Sequence, residues 1–326
     1  MENIYTDLAL EMAEQLQDGD GGYIDGVEVD NYDQNGIMVN TVRIVNESGA
    51  AAMGKAQGHY ITIESPEIKV NNVAVHEEII TILTDNLARL VQGVDGTVLV
   101  IGLGNRSVTP DSLGPQVVSK VLITRHIMDD LPVGLDGLRP LCALAPGVMG
   151  MTGIETGEVV RGLVNHVKPA LVVAIDALAA RKISRINQTI QLTDTGISPG
   201  AGVGNRRMPL NKENLGVPVI AIGVPTVVDA AIFATDAMGL FLHQLAEEAP
   251  DAVGSGLSFI QTLENLEDSD KYAAMHAAID PTVGNMFVTP KEIGEVVGWL
   301  SNIIANAINM AMHKGIERED INRFMY

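Results

Sequence analysis

The chain has a single cysteine, Cys142, in 326 residues, so no disulfide can form within it and a reducing interior is the expected setting. Cys142 lies in the apolar run Leu141-Cys-Ala-Leu and reads as a core residue rather than a nucleophile. Basic side chains are also scarce: 21 Lys and Arg stand against 41 Asp and Glu, a formal charge of -20 at pH 7. Covering a phosphate backbone takes clustered cations, so direct nucleic-acid binding is not expected, and a basic partner would be attracted instead. A bilayer-spanning run is missing too. The most apolar long segment, residues 217–242, is broken by Pro218, Pro225, Asp229 and Asp236. The opening Met1-Glu-Asn-Ile-Tyr-Thr-Asp7 has neither the basic nor the apolar region of a secretory signal, so a cytoplasmic location is expected.

What the chain does have is apolar bulk, 46% of residues, enough for one large α/β domain or two ordinary ones. A helix is expected over residues 7–17, with Asp7 placed to cap it. Residues 18–36, rich in Gly and Asp, read as a solvated acidic loop; the likeness to a calcium loop fails because Gly22 and Tyr23 stand where a ligand and the turn glycine belong. Alternation over residues 37–45 and 60–64 predicts two half-exposed antiparallel strands, and residues 76–92 an amphipathic helix. From Val98 onward strands near Val98, Leu141, Leu171, Thr189 and Val219 alternate with helices after Asp111, Thr156 and Val227. That rhythm implies βαβ units and a mainly parallel sheet flanked by helices, with additional antiparallel strands. A last helix over residues 290–312 turns one broad apolar face, including Ile293, Val297, Leu300 and Ile304, toward the body. Residues 246–282 show no firm pattern.

Two apolar runs carry the chemistry. Val98-Leu-Val-Ile-Gly-Leu-Gly-Asn runs through a glycine turn to Asp111, and Ala170-Leu-Val-Val-Ala-Ile ends on Asp176. In open α/β sheets the carboxyl ends of strands are where ligands bind. Two carboxylates brought together there split their pKa values, one acting as base and the other as acid, which suits peptide hydrolysis. The bland alternatives are that Asp111 caps the following helix and that Asp176 pairs with Arg181 or caps its own turn. Glu155 and Asp229, at loop ends of the same sheet, are secondary acidic candidates. The glycines at 102 and 104 do not complete a dinucleotide fingerprint, since Ser107 takes the third glycine's place and Asp111 would repel a pyrophosphate. The stretches Pro146-Gly-Val-Met-Gly-Met-Thr-Gly-Ile-Glu-Thr156 and Gly196-Ile-Ser-Pro-Gly-Ala-Gly-Val-Gly-Asn205 read as loops bordering one cleft. No cofactor and no metal is expected, and His126 and His166 fall in helical stretches as surface residues.

Taken in order, Gly102-Leu-Gly-Asn, Ser107-Val-Thr-Pro-Asp111, Leu122-Ile-Thr-Arg-His126, the loop from Pro146 to Thr156, Ala174-Ile-Asp-Ala-Leu-Ala-Ala-Arg181, Gly200-Ala-Gly-Val-Gly-Asn205 and Ile220-Ala-Ile-Gly-Val-Pro-Thr-Val-Val-Asp229 resemble the germination protease family of spore-forming bacteria. The resemblance covers nearly the whole chain and returns at Val288-Thr-Pro-Lys-Glu. It implies an atypical aspartic endopeptidase whose implicated aspartates fall on Asp111 and Asp176, with a fold similar to that of hydrogenase maturation endopeptidases. It also implies a tetramer in the spore core whose substrates are small acid-soluble spore proteins. Members are made as zymogens that cut themselves after an acidic residue followed by a large apolar residue and Ala. Thr6-Asp7-Leu8-Ala9 fits, dividing the chain into a propeptide, 1–7, and one peptidase domain, 8–326. This propeptide is short, and residues 242–280 look shorter than the family's corresponding region. A metal-guided endopeptidase of the same fold and a non-catalytic acidic binding protein are the competing readings.

Overall fold

Each apolar run read as a buried strand is one. The computed structural model describes residues 6–20, 24–128, 137–200, 207–248, 266, 268–284 and 286–314. Helix α1 (Ala9–Asp20) precedes β1 (Val27–Gln34), β2 (Ile37–Ile44), the short helix α2 (Glu47–Met53) and β3 (Gly58–Glu64). Helix α3 (Val73–Leu90) leads to β4 (Val98–Gly102), α4 (Leu113–Val118), β5 (Leu141–Leu144), the single turn α5 (Met149–Thr152), α6 (Thr156–Val167) and β6 (Leu171–Ala180). There follow β7 (Thr189–Thr193), α7 (Lys212–Leu215), β8 (Val219–Asp229), α8 (Ala230–Glu248), α9 (Asp268–Val283), β9 (Phe287–Val288) and α10 (Ile293–Met312).

Among the described residues the strands form one nine-stranded sheet in the order β1-β2-β3-β7-β8-β6-β4-β5, with β9 paired to the end of β8. Strands β8, β6, β4 and β5 are parallel, as βαβ units require. The expectation of a mainly parallel sheet is met only there. Strand β7 runs antiparallel to both β3 and β8, joining the parallel block to the meander of β1, β2 and β3, so the sheet as a whole is mixed.

Two expectations are corrected. Residues 27–34, read as part of a solvated loop, form β1, which pairs with β2 through a two-residue turn, Gln34 facing Ile37. Asn35 and Gly36 in that turn have φ of 56° and 81°, the left-handed pair that matches the twist of a tight hairpin. In this edge strand, exposed on both faces, apolar alternation is confined to Val27 and Val29 and gives way to polar residues, too short a pattern to reveal it. Within residues 246–282, 268–283 form α9, whose apolar residues are mainly alanines spread around the helix, so no stripe marks it. Residues 249–265 and 267 lie outside the described residues.

One face of the sheet packs Val100, Val173, Ile175, Leu192 and Ile222 under α3, α4 and α10, whose predicted apolar face is buried as expected. On the opposite face α6 covers Leu99, Ile101, Val172 and Ala174, while α1 and α2 cover Val42, Ile44 and Tyr60. Cys142 packs at the margin of the α6 cluster, consistent with its reading as core. Between these two covers a cleft of about 220 Å³ opens over the middle of the sheet, bordered by Leu178, Gln191, Ala221 and Gly223.

The α1 cover is fastened electrostatically. Arg185, almost fully buried, donates to Glu64 at 2.8 Å and to Glu14 at 2.5 Å, and Glu11 lies 3.7 Å away. Glu11 in turn accepts the N–H groups of Arg181 and Lys182, both at 3.0 Å, and the Thr6 hydroxyl. Burial works to raise the Glu14 pKa, but the bonds from Arg185 and Lys182 outweigh it and hold the carboxyl below its ordinary 4.5. Truncating Arg185 leaves buried carboxylates without their cation, so Arg185→Met should destabilise the fold by about 3–5 kcal/mol at pH 7. Because the folded pKa of Glu14 is depressed, its share of the stabilisation is present above the unfolded value and is lost as pH falls through the folded one. Denaturant titrations of both proteins should therefore converge toward acid; a gap that widened on acidification would contradict the assignment.

Candidate active site

At the carboxyl end of β4 the chain turns through Gly102-Leu-Gly104. Gly104 sits at φ 104°, and a Cβ there would lie 2.1 Å from the carbonyl oxygen of Asp111. A Cβ on Gly102 would lie 2.2 Å from the Gly114 carbonyl oxygen of α4. The glycines thus serve to press the Asp111 turn and the start of α4 against the strand. Asp111 closes a 3-10 turn, Thr109–Asp111, and Ser112 rather than Asp111 stands at the N-cap of α4. The Asp111 carboxylate turns back instead and accepts the Asn105 N–H at 2.7 Å.

Asp176 lies within β6, which runs four residues past it to Ala180; the sequence pattern had the strand end there. It stands level with the end of β4, whose Gly102 pairs with Ile175. Its carboxylate accepts the Ala177 N–H at 3.0 Å within the strand, and among the described residues it forms no ion pair with Arg181, so the turn-capping and Arg181 alternatives do not describe it. Asp176 is buried, 7% exposed. Burial pushes its pKa well above the ordinary 3.8, and the charges of Asp111 and Asp7 push it further, against smaller opposing effects from the Ala177 N–H and Arg207. Asp111 is raised by burial, with the Asn105 N–H and Arg207 working the other way.

The third carboxylate belongs to the Thr6-Asp7-Leu8-Ala9 stretch. Thr6 and Leu8 are buried and this segment is packed in place, rather than loose as a polar terminus would suggest. The Asp7 carboxylate accepts the Ala179 N–H of β6 at 3.1 Å. Its carbonyl oxygen accepts from Lys55 Nζ at 3.0 Å and Gln191 Nε2 at 3.2 Å. Asp7, Lys55 and Gln191 all line the cleft.

The other candidates fall into different roles. Glu155 accepts the Met208 N–H at 2.7 Å and so anchors the chain beside Arg207. Asp229 accepts the N–H groups of Ala231 and Ile232 at the start of α8, a helix cap. His126 is exposed in the turn Arg125–Ile127, and His166 is exposed in the last turn of α6. Residues 201–206 of the second glycine-rich loop lie outside the described residues. Among the described residues no three His, Cys, Asp or Glu side chains converge as a metal site would require, and no helix is long and apolar enough to cross a membrane.

Lys55, Gln191 and Arg207 are polar groups at this site that the sequence patterns did not single out. Only Gln191 leaves a trace, as the central polar residue in the alternation Thr189-Ile-Gln-Leu-Thr.

A sequence model of the family described as germination protease matches residues 5–258 and 244–325. The germination protease of Clostridium perfringens strain 13 is 46% identical over 328 residues, covering all of both chains, and that of Clostridium tetani is 45% identical over 325 residues, covering 99% of each. The germination protease of Bacillus subtilis strain 168 is 38% identical over an alignment of 351 positions, with 97% of this chain and 95% of that one covered. Full-length similarity at these levels places the chain, with its buried carboxylates at the ends of parallel strands, in the germination protease family, and it is a peptidase.

Proposed function

We propose that this peptidase works as an aspartic-type endopeptidase through Asp111 and Asp176, and that its substrates are small acid-soluble spore proteins cut after an acidic residue that precedes a large apolar residue and Ala. The observation that carries the reading is the pairing of a carboxyl raised by burial and then by its charged neighbours with a second carboxylate in the turn beyond the carboxyl end of the adjacent parallel strand. The pair titrates as a unit, and its shared proton rests on Asp176, the more deeply buried partner. Asp111, held by the Asn105 N–H, then takes a proton from water as the water oxygen attacks the carbonyl carbon, and Asp176 gives its proton to the departing nitrogen. We also take the chain to be a zymogen processed at Asp7–Leu8, acting as a tetramer in the spore core, with a fold related to hydrogenase maturation endopeptidases. The packing of Thr6-Asp7-Leu8-Ala9 supports self-processing, because Asp7 lines the cleft, is held to β6 through the Ala179 N–H and bears electrostatically on Asp176. Processing then needs little fraying of α1, which begins only at Ala9.

Asp111→Asn and Asp176→Asn should each lower cleavage of a spore protein by about 10²–10⁴-fold while the fold persists; a folded variant with near wild-type turnover would remove that residue from the mechanism. The wild-type pH profile should be bell-shaped, falling in acid as Asp111 protonates and in alkali as Asp176 ionises. Arg207 lowers both pKa values, so Arg207→Gln should move both limbs to higher pH, and a shift to lower pH would exclude the pair as their source.

Processing has its own readout. Mass spectrometry of protein held at mildly acidic pH should show loss of residues 1–7 from wild type and an intact terminus in Asp176→Asn. Intact wild-type protein that is fully active on a spore protein would show that no such processing is needed. In a peptide series around Thr-Asp-Leu-Ala, replacing Leu by Asp should sharply reduce turnover, since a charge would have to enter an apolar site; equal cleavage across the series would reject the specificity.

A further inference from the structure

One row of the sheet joins the two sides of the cleft. Asp176 on β6 pairs with Gly223 on β8, and Gly223 pairs with Gln191 on β7. The neighbours Ile175, Ile222 and Leu192 point into the core under α3 and α10, so Asp176, Gly223 and Gln191 share the opposite face, where the cleft lies. With strands about 4.8 Å apart, the Asp176 and Gln191 backbones stand about 10 Å from each other. The residue between them is a glycine, at which a Cβ would lie 2.4 Å from the Leu178 side chain. Leu178 thus covers the middle of the row, with Asp176 at one end of it and the Gln191 hydrogen-bond donor at the other.

The Asp7–Leu8 peptide group is held on the donor side. Lys55 Nζ and Gln191 Nε2 both donate to the Asp7 carbonyl oxygen, and Lys55 also reaches the Thr6 carbonyl oxygen at 3.2 Å. The orientation of the Gln191 amide follows from its other bond. The Ala9 N–H, which can only donate, goes to Gln191 Oε1 at 2.7 Å, leaving the NH₂ group for the Asp7 oxygen. Gln191 therefore grips the chain on both sides of the Asp7–Leu8 bond, at the carbonyl before it and at the second N–H after it. Lys55 aims its ammonium at main-chain oxygens. An isolated carbonyl is a weak partner for a cation removed from water, whereas an oxygen that gains negative charge during reaction is a strong one.

We propose that Lys55 and Gln191 form the oxyanion site of this peptidase, donating to the carbonyl oxygen of the bond being cut, both at Asp7–Leu8 and at the matching bond of a substrate supplied in trans. The inference rests on Asp111 and Asp176 being the catalytic pair. As water attacks the carbonyl carbon, the π pair moves onto the carbonyl oxygen and is held there by the Lys55 and Gln191 N–H groups, while the water proton passes to Asp111. Collapse returns that pair to the carbon–oxygen bond and breaks the C–N bond. The nitrogen takes its proton from Asp176, so one water is consumed and one acid and one amine are released. Burial lowers the Lys55 pKa, and the charges of Asp7 and Glu11 work the other way, favouring the cation.

The test compares full-length wild type, Asp176→Asn, Lys55→Met, Lys55→Arg and Gln191→Met, the last nearly isosteric and uncharged. Two rates are read: loss of residues 1–7 by mass spectrometry, and turnover of a peptide containing Thr-Asp-Leu-Ala. Thermal melts close to wild type qualify a variant, and Gln191→Met decides alone if Lys55→Met unfolds. Each methionine variant should lose about 10²–10³-fold in kcat, with KM within about threefold, because the donors act on charge that develops only in the transition state. Lys55→Arg, which keeps a cationic donor, should retain far more activity than Lys55→Met. A rise in KM with kcat unchanged, or near wild-type kcat in a folded Gln191→Met, would overturn the oxyanion role while an inactive Asp176→Asn kept the catalytic pair standing. Equal activity of Asp176→Asn and wild type would instead reject the reading on which the inference rests.

Discussion

A carboxyl group taken out of water must either find a cation or keep its proton, and Asp176 is arranged to do the second. Its surroundings supply two further carboxylates, one N–H donor and the opposing charge of Arg207, the smallest of these influences. The elements around it follow from that constraint. Gly102 and Gly104 let Asp111 approach, Gly223 leaves room for the Leu178 side chain, and the two helical covers stop short on either side. A group stabilised as the neutral acid also works against the fold as pH rises from the ordinary carboxylate range, since ionisation is easier in the unfolded chain. The large core under α3, α4 and α10 is what lets the sheet tolerate such a residue at its centre.

The sequence was legible where a single segment contains its own cause. Continuous apolar runs in β4, β6 and β8 announce strands buried on both faces; Asp176 stands out because it ends such a run, and Asp111 because it follows one through a glycine turn. The stripe of α10 is equally local. Legibility failed where the cause is nonlocal. Strand β1 is charged on both faces and exists because β2 offers it a ladder, and the antiparallel course of β7 is set by partners on two different strands. Lys55 and Gln191 are 136 positions apart and carry no pattern in common. Each meets the Asp7 carbonyl only after β7 has been inserted between β3 and β8. The pattern of polar residues along β7 shows that one face is different without saying what faces it.

The ion network around Arg185 gives the amino-terminal segment a mechanical connection to β6. Glu11 on α1 accepts the main-chain N–H groups just beyond β6, and the hydroxyl of Thr6 is bound to the same carboxylate. The position of the Asp7–Leu8 bond is thereby set from both ends, by Gln191 through Ala9 and by Glu11 through Thr6. Such double fixing matters for an enzyme with modest donors, since a carbonyl displaced by an ångström loses most of its alignment with them.

The charged edge strand bears on how far the sheet can grow. A strand with one unpaired side is a template for another chain, and β1 is eight residues long and mostly exposed. Its side chains include Glu28, Asp30 and Asp33, so a second copy laid against it would bring like charges together. At the far edge β5 is only four residues long, too short to recruit a stable neighbour. The same surplus of carboxylates that leaves nucleic acid unattractive to this protein therefore acts as a colloidal brake, keeping crowded copies from zipping together edge to edge.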